Sequence, residues 1–373
     1  MARVVLLGSH PYALINFRGK LIQDLANLGH EVIACAPDAS DEIRAGLEKL
    51  GARYEPIRMQ RTGMNPLKDL IGMVRLWRMF RRLKPDAVFA YTIKPVVYGS
   101  LAARLAGVKR IHSMITGLGY TFMGETRKRR LLGRIVKFLY KTALRRNRGV
   151  FFQNEDDAEL FVSQQLLDPD KVTITGGSGV DLEHFALEPL PEKVRFLMCG
   201  RILVEKGVRE YFEAARDVKA RFPEAEFAYV GPFDHGNPAA ISESQLAELN
   251  ADGQVEVHGF AEDVRPFFRD CSVFVLPSYR EGTPRTALEA AAMGRAVITT
   301  DGPGGCRQTV KDGESGFLVP VKDSQALAEA MIKIAAEPKK IEAMGKAGRE
   351  LMIEKFDILK VNALIIETMG LAS

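Results

Sequence analysis

The chain has 373 residues, 46% of them hydrophobic, with 52 Lys and Arg against 47 Asp and Glu for a net charge of +5. That apolar content is enough for two cores of ordinary domain size and excludes a disordered or fibrous chain. Four cysteines without a Cys-x-x-Cys spacing and six histidines without paired ligand spacing argue against a disulfide framework and a zinc site, and predict reduced, buried thiols in a cytoplasmic protein.

Taken in chain order, short apolar runs bounded by turn residues predict strands at Arg3–Gly8, Glu31–Cys35, Arg53–Pro56, Ala87–Tyr91, Arg110–Met114, Gly149–Phe152 and Val172–Thr175. Arg3–Gly8 is too short for the apolar segment of a signal peptide, and no run approaches the roughly 18 residues a membrane span needs. Helices are predicted between the strands, among them Phe17–Leu28 and Val96–Ala106. The stretch Gly176-Gly-Ser-Gly179, followed by Glu188-Pro-Leu-Pro-Glu192, follows a strand but opens no clear helix. It therefore reads as a linker rather than a phosphate loop. Further strands are predicted near Val194–Cys199, Glu226–Val230, Val255–Val257, Val273–Leu276, Ala296–Thr299 and Gly316–Val319. Such alternation predicts an α/β chain with two parallel sheets and crossover helices. The boundaries drawn are a first domain over 1–182, a linker over 183–192, a second domain over 193–355, and a closing segment over 356–373 with a helix near Ile358–Met369.

Charge is unevenly spread. Residues 53–148 carry 23 basic side chains against four acidic ones, which calls for an anionic partner. Two predicted helices hold most of them. Pro66–Lys84 sets Leu67, Leu70, Ile71, Val74 and Trp77 on one face and Arg75, Arg78, Arg81 and Arg82 on another. Arg127–Arg148 sets Leu132, Val136, Leu139 and Ala143 along one side, with Arg130, Arg134, Lys137, Lys141 and Arg145 as a stripe along another. No nucleic-acid-binding motif accompanies the stripe, so nucleic acid is not the expected partner. An anionic bilayer surface fits the second helix, with Leu131, Phe138 and Tyr140 beside the stripe. The alternative is a core-packing helix with a solvated basic face.

Two segments of the second half carry the chemistry. After the strand ending at Cys199 comes Gly200-Arg201-Ile-Leu-Val-Glu-Lys206-Gly207 and then a helix with Val208, Tyr211, Phe212, Ala215 and Val218 at helical spacing. Arg201 and Lys206 thus lie at the carboxyl end of a parallel strand, where open α/β sheets bind ligands. Two such cations suit a diphosphate, a close charge pair being worth ~4 kcal/mol at an effective dielectric of 20 before desolvation. Further on, Glu281 and Glu289 flank the start of another helix, with Thr283 as expected N-cap and Pro284 at the first helical position. Backbone amides near Thr283–Thr286 suit an anion, and the two carboxylates suit sugar hydroxyls. The alternatives are surface pairs of Arg201 and Lys206 with Glu205 and Glu210, and a capped helix with two solvated acids. Asp168-Pro-Asp170 resembles an Asp-x-Asp metal motif but sits in a helix-to-strand turn, where Asp and Pro are ordinary turn residues; no metal site is expected.

Together, Gly200-Arg201, Glu205-Lys206-Gly207, Glu281-Gly282 and Leu288-Glu289-Ala290 resemble the donor half of the retaining glycosyltransferases of family 4. Ile15-Asn-Phe-Arg18, Gly29-His-Glu-Val32, Gly179-Val-Asp181 and Asp312-Gly-Glu-Ser-Gly-Phe-Leu-Val319 extend the resemblance over nearly the whole chain. It implies the GT-B fold, two Rossmann-like domains facing across a cleft, with the closing helix returning to the first. The nearest likeness is to bacterial enzymes that add an N-acetylhexosamine or hexose, here N-acetylgalactosamine by preference, to a polyprenyl-diphosphate-linked sugar. The donor would be a UDP-sugar, a substrate and not a cofactor, and transfer would be metal-independent with retention of configuration. The enzyme would sit peripherally on the inner face of the cell membrane.

The resemblance also assigns roles. Arg201 and Lys206 would neutralise the departing diphosphate, Glu281 would hold the donor sugar and Glu289 the ribose hydroxyls. Gly282, Thr283 and Arg285 would lie near sugar and phosphate, and the segment through Gly259 and Phe260 near the base. The Arg285 side chain either reaches an N-acetyl or phosphate group or only completes the helix surroundings. On the acceptor side, Arg18 and Lys94 are candidates for an acceptor diphosphate, with ordinary surface cations as the alternative. Thr116, Gly117 and Gly119 complete that set. Many relatives carry a His where this chain has Thr116, so a catalytic His is not expected there, and His112 reads as a strand residue with a satisfied ring. A UDP-sugar 2-epimerase of the same architecture and a non-catalytic nucleotide-sugar or lipid-binding protein are the two rival readings.

Overall fold

The computed structural model describes residues 1–59, 65–118 and 127–372, with only the backbone of 127–130 included. Gly119 lies outside the described residues, as does the side chain of Arg130. The chain divides into two compact units, one formed by Met1–Ser178 with Leu359–Ser373, the other by Gly179–Ile358. The division falls at Ser178, so residues 183–192 belong to the second unit. The closing helix, Ile358–Thr368, packs in the first: Val361, Ile365, Ile366 and Met369 complete the core beneath Val4, Leu6, Phe89 and Phe151.

The first unit holds strands β1 (Arg3–Leu7), β2 (Glu31–Ala36), β3 (Ala52–Pro56), β4 (Ala87–Tyr91), β5 (Arg110–Ile115), β6 (Gly149–Phe152) and β7 (Val172–Ile174). They form one sheet in the order β3-β2-β1-β4-β5-β6-β7, every pair parallel. β1, β4, β5 and β6 are almost wholly buried runs rather than alternating ones, as a sheet covered by helices on both faces requires. The second unit holds β8 (Arg195–Cys199), β9 (Glu226–Val230), β10 (Glu256–His258), β11 (Val273–Leu276), β12 (Ala296–Thr300) and β13 (Gly316–Val319), again parallel, in the order β10-β9-β8-β11-β12-β13. Both sheets reverse their winding once, between β1 and β4 and between β8 and β11. The crevice beyond the carboxyl ends at such a reversal is the ligand position of doubly wound sheets.

Three helices differ from the sequence expectation. The expected helix Phe17–Leu28 is two shorter ones, Pro11–Asn16 and Gly19–Asn27, broken at Phe17 and Arg18 because Arg18 turns into the core. Val96–Ala106 opens as a wider turn over Pro95–Gly99 before the regular helix Ser100–Leu105. Helix Pro66–Leu83 buries Asp69, Gly72, Leu76, Met79, Phe80 and Leu83, while Leu67, Leu70 and Ile71 face outward. The predicted apolar face was therefore rotated. A polar anchor sets the helix: the Asp69 carboxylate accepts from Lys94 Nζ at 2.6 Å and from the Tyr98 hydroxyl at 3.2 Å.

Candidate active site

The site is assembled from loops that leave β8, β11 and β12 at the carboxyl edge of the second sheet. β8 ends at Cys199, and residues 200–207 lead through a short turn at Val204–Lys206 into helix Val208–Arg221. Gly207, at φ 78°, is the hinge of that entry, and a Cβ there would stand 2.1 Å from the Pro277 carbonyl oxygen. Only glycine allows the two loops to lie this close. β11 ends at Leu276, and helix Arg285–Ala292 begins after Pro284. Thr283 was expected as its N-cap; Pro284 takes that place, and its ring offers no acceptor. Neither helix start is closed by its own N-cap side chain, in contrast to those begun by Asn65, Asn154, Ser242 and Asp323. A helix start without a side-chain cap is a usual seat of a phosphate.

Two of the four key side chains, Lys206 and Glu281, are in contact at this edge. Lys206 Nζ donates to Glu281 Oε1, and the partners are only 21% and 16% exposed. The Ser278 hydroxyl donates to the same carboxylate oxygen at 2.7 Å and lies 3.1 Å from the Glu205 carbonyl. The Tyr279 amide donates to that carbonyl at 2.9 Å, so the two loops are joined by backbone next to the ion pair. Glu289 is buried on the helix, paired with Arg285 at 2.8 Å. Burial lifts its carboxyl above the usual glutamate range, and the Arg285 guanidinium opposes that rise.

Two buried thiols lie in the field of these charges. Cys199, at the end of β8, is pushed up to about 12 by burial, with Glu289 adding to the rise and Lys206 opposing it. Cys306 is pushed up to about 12 by burial, with Glu281 raising it and Lys206 lowering it. All four cysteines are free and buried.

Arg201 stands apart from this group. It is about half exposed and pairs with Asp234 in the loop after β9, at 2.6 Å. The pairings with Glu205 and Glu210 considered from sequence are not those made. Gly259 and Phe260 follow β10: the Gly259 carbonyl accepts from Gly231 N at 3.1 Å, and Phe260 is 67% exposed.

The loop after β12 escaped the sequence reading. Gly305 N donates to the Glu281 carbonyl at 3.1 Å, and a Cβ at Gly305 would stand 1.9 Å from the Gly282 carbonyl oxygen. The Gly302-Pro-Gly-Gly305 cluster therefore clamps the loop bearing Glu281 to Thr283 from below. Its turn composition was visible; its partner, some twenty residues earlier, was not. Ser278 and Asp234 carried no signal in the sequence at all.

In the first unit the expected acceptor residues fare differently. Arg18 is no surface cation. Only 2% exposed, it donates to Met114 Sδ at 2.6 Å and lies over the rings of Phe89 and Tyr91 at 5.8 and 5.3 Å. Lys94 is neutralised by Asp69. Thr116 and Gly117 follow the end of β5 and are part-exposed. His112 is buried, but its ring is not fully satisfied: Nδ1 has no hydrogen-bond partner among the described residues. Asp168 pairs with Lys171 at 3.5 Å in its turn. On helix Arg127–Leu144, Arg134 and Lys141 are exposed and Lys137 part-exposed, and Arg145, just past its end, is exposed. Leu131, Ile135 and Phe138 are exposed beside them, whereas Tyr140, expected at that surface, is buried edge-on against Phe161.

Comparison with known proteins supplies the family. Residues 180–351 match the family of glycosyl transferases group 1, and residues 17–176 match the glycosyl transferase 4-like domain. The chain is 28% identical over 351 residues to an N,N'-diacetylbacillosaminyl-diphospho-undecaprenol alpha-1,3-N-acetylgalactosaminyltransferase of Campylobacter jejuni, covering 90% of each. It is 27% identical over 308 residues to a UDP-Gal:alpha-D-GlcNAc-diphosphoundecaprenol alpha-1,3-galactosyltransferase of Escherichia coli, covering 79% of this chain and 77% of that one. Its fold matches a sucrose-phosphate synthase from Thermosynechococcus elongatus with a TM-score of 0.81 at 19% identity, covering the whole of both chains. With a 4-like domain on its first sheet, a group 1 domain on its second and the GT-B architecture throughout, the chain belongs to this family of glycosyltransferases.

Proposed function

We propose that the protein transfers a sugar, N-acetylgalactosamine or another N-acetylhexosamine, from a UDP-sugar to a saccharide carried on undecaprenyl diphosphate, with retention of anomeric configuration and without a metal ion. The observation that carries the reading is the Lys206–Glu281 pair, held at the winding reversal between β8 and β11 beside two helix starts. A diphosphate at those amides puts its developing negative charge next to the Lys206 ammonium, stabilisation worth most when the bond to the sugar breaks. Arg201, released from its pair with Asp234, would serve as the second cation. Glu281, tied by Lys206 and Ser278, would accept from donor-sugar hydroxyls. Glu289 would accept from the ribose, with Gly282, Thr283 and Arg285 near phosphate and sugar and Gly259 and Phe260 near the base. In a same-face substitution the leaving phosphate accepts the acceptor's proton. The protein then supplies position and charge rather than a base of its own.

The acceptor would be a sugar on undecaprenyl diphosphate, the class that both relatives' names carry with different sugars, and Thr116 and Gly117 are its proposed contacts in the first unit. A lipid-borne acceptor places the work at a membrane. Exposed Leu131, Ile135 and Phe138 beside Arg134 and Lys141 suit peripheral attachment to an anionic leaflet.

The test is UDP release from a panel of UDP-sugars with and without a polyprenyl-diphosphate-linked saccharide, with NMR of the product anomer and a chelator arm. Acceptor-dependent release, an unchanged anomer and indifference to chelator are expected. Epimerised donor without release would instead make the protein a 2-epimerase, and silence across the panel would leave a binding protein.

A further inference from the structure

Glu281 rides on a loop whose fixation depends on a side chain that the proposed chemistry does not use. Tyr279, two residues earlier, has its backbone amide on the Glu205 carbonyl at 2.9 Å, one residue before Lys206. Its hydroxyl donates to Glu210 Oε1 at 2.7 Å, in the first turn of helix Val208–Arg221. Its ring lies under Lys322 Nζ at 5.1 Å. One residue thus fastens the loop after β11 to the loop and helix after β8, across the reversal that separates the two charges.

The partner is unusual in its own right. Glu210 is only 9% exposed, and its second carboxylate oxygen has no hydrogen-bond partner among the described residues. A carboxylate this deep is costly to hold with a single donor. The tyrosine hydroxyl is that donor, and burial together with the Glu210 bond pushes its own ionisation up, so it remains a donor at working pH. A Phe–Leu pair would fill the space without the cost, which argues for a bond whose direction matters.

We propose that Tyr279 and Glu210 are a positioning pair: they fix the height of the Glu281 loop over Lys206, and so determine whether the donor sugar and its diphosphate are held together. The assignment rests on the glycosyltransferase reading. Neither residue is a catalytic one, since both act through Glu281.

The test is a double-mutant cycle. Tyr279→Phe is made alone and in a Glu281→Gln background, with UDP-sugar affinity by calorimetry, kcat from acceptor-dependent UDP release, and Tm as control. Alone, Tyr279→Phe is expected to weaken donor affinity or kcat about 10-fold, and in the Glu281→Gln background by less than about 2-fold, although the fall in Tm from the unpaired Glu210 is the same in both backgrounds. Glu210→Gln, which still accepts from the tyrosine, is expected to stay within about 3-fold of wild type, whereas Glu210→Leu is expected to match Tyr279→Phe. Equal factors in both backgrounds, a loss that follows Tm, or no loss at all would overturn the assignment. A wild type that binds UDP-sugars without releasing UDP sinks the transferase reading alone, because the cycle is still read in affinity. One that does neither overturns both.

Discussion

Arg285 and Glu289 stand one turn apart on the helix that opens the site, nitrogen to oxygen 2.8 Å, and the glutamate is the buried partner at 8% exposure. A carboxylate kept there against its own desolvation is held for binding rather than for stability.

That separation of purposes can be measured. The folded-state pKa of Glu289 lies above the ordinary 4.5, so the native state holds the proton longer than the unfolded chain does. Its stabilising share is whole below about 4.5 and is lost as pH rises through the raised value. Glu289→Gln should abolish this loss, making the urea midpoint at neutral pH at least equal to wild type while transfer falls by ~10²-fold or more. A variant that is both unstable and inactive would contradict this account.

The two cations should not weigh alike. Lys206 is sequestered against Glu281, whereas Arg201 is half exposed and shared with Asp234. Lys206→Met is expected to lower kcat by about 10²–10³-fold, and Arg201→Ala by about 10-fold. Steady-state kinetics at saturating donor decide the order, and a reversed ranking would move the diphosphate toward Arg201.

His112 supplies an acid-sensitive element in the first unit. Burial lowers its pKa from 6.5 to about 4, aided by Arg148 and Arg110, with only the Thr368 backbone opposing. The unfolded chain binds the proton first, so stability is present above 6.5 and drains away as pH falls toward 4, by about 3 kcal/mol in all. Chemical denaturation of His112→Gln over that range should show a shallower pH slope. Thr368 closes the last helix, so amide exchange in 358–368 should accelerate first as wild type is acidified.

Membrane attachment should depend on apolar side chains as much as on charge. Leu131 and Phe138 are 58% and 68% exposed, and replacing both by Asp should weaken binding to phosphatidylglycerol vesicles about 10-fold without lowering Tm. Added salt should weaken wild-type binding in parallel. Sedimentation with vesicles checks both, and undiminished binding by the double variant would place the contact elsewhere.

Much of the framework was legible because parallel strands buried on both faces appear as short apolar blocks between turn residues, as at Glu226–Val230 and Val273–Leu276. What linked those blocks was not. β8 and β11 are neighbours although three helices and two strands separate them in the chain, and no local pattern encodes that adjacency. Helix Pro66–Leu83 was rotated in the prediction because its first two turns carry apolar residues on both sides, and the deciding contact, Lys94 on Asp69, spans 25 residues. The burial of Arg18 was hidden for the same reason: a cation beside a helix start suggests an anion site or a surface position, and the rings of Phe89 and Tyr91 that close over it lie far along the chain. Lys206 and Glu281 were identified as residues, whereas their mutual contact, and Ser278 beneath it, needed the fold.

Finally, because the last helix lodges under the first sheet, the polypeptide cannot be divided into two working fragments by a single cut. A piece ending at Ser178 would carry Val4, Leu6 and Phe89 bare where Val361 and Ile365 belong, and should aggregate when expressed alone. Adding back a peptide spanning 356–373 ought to rescue it, so the separated terminus becomes a reagent for assembling the amino-terminal half in trans.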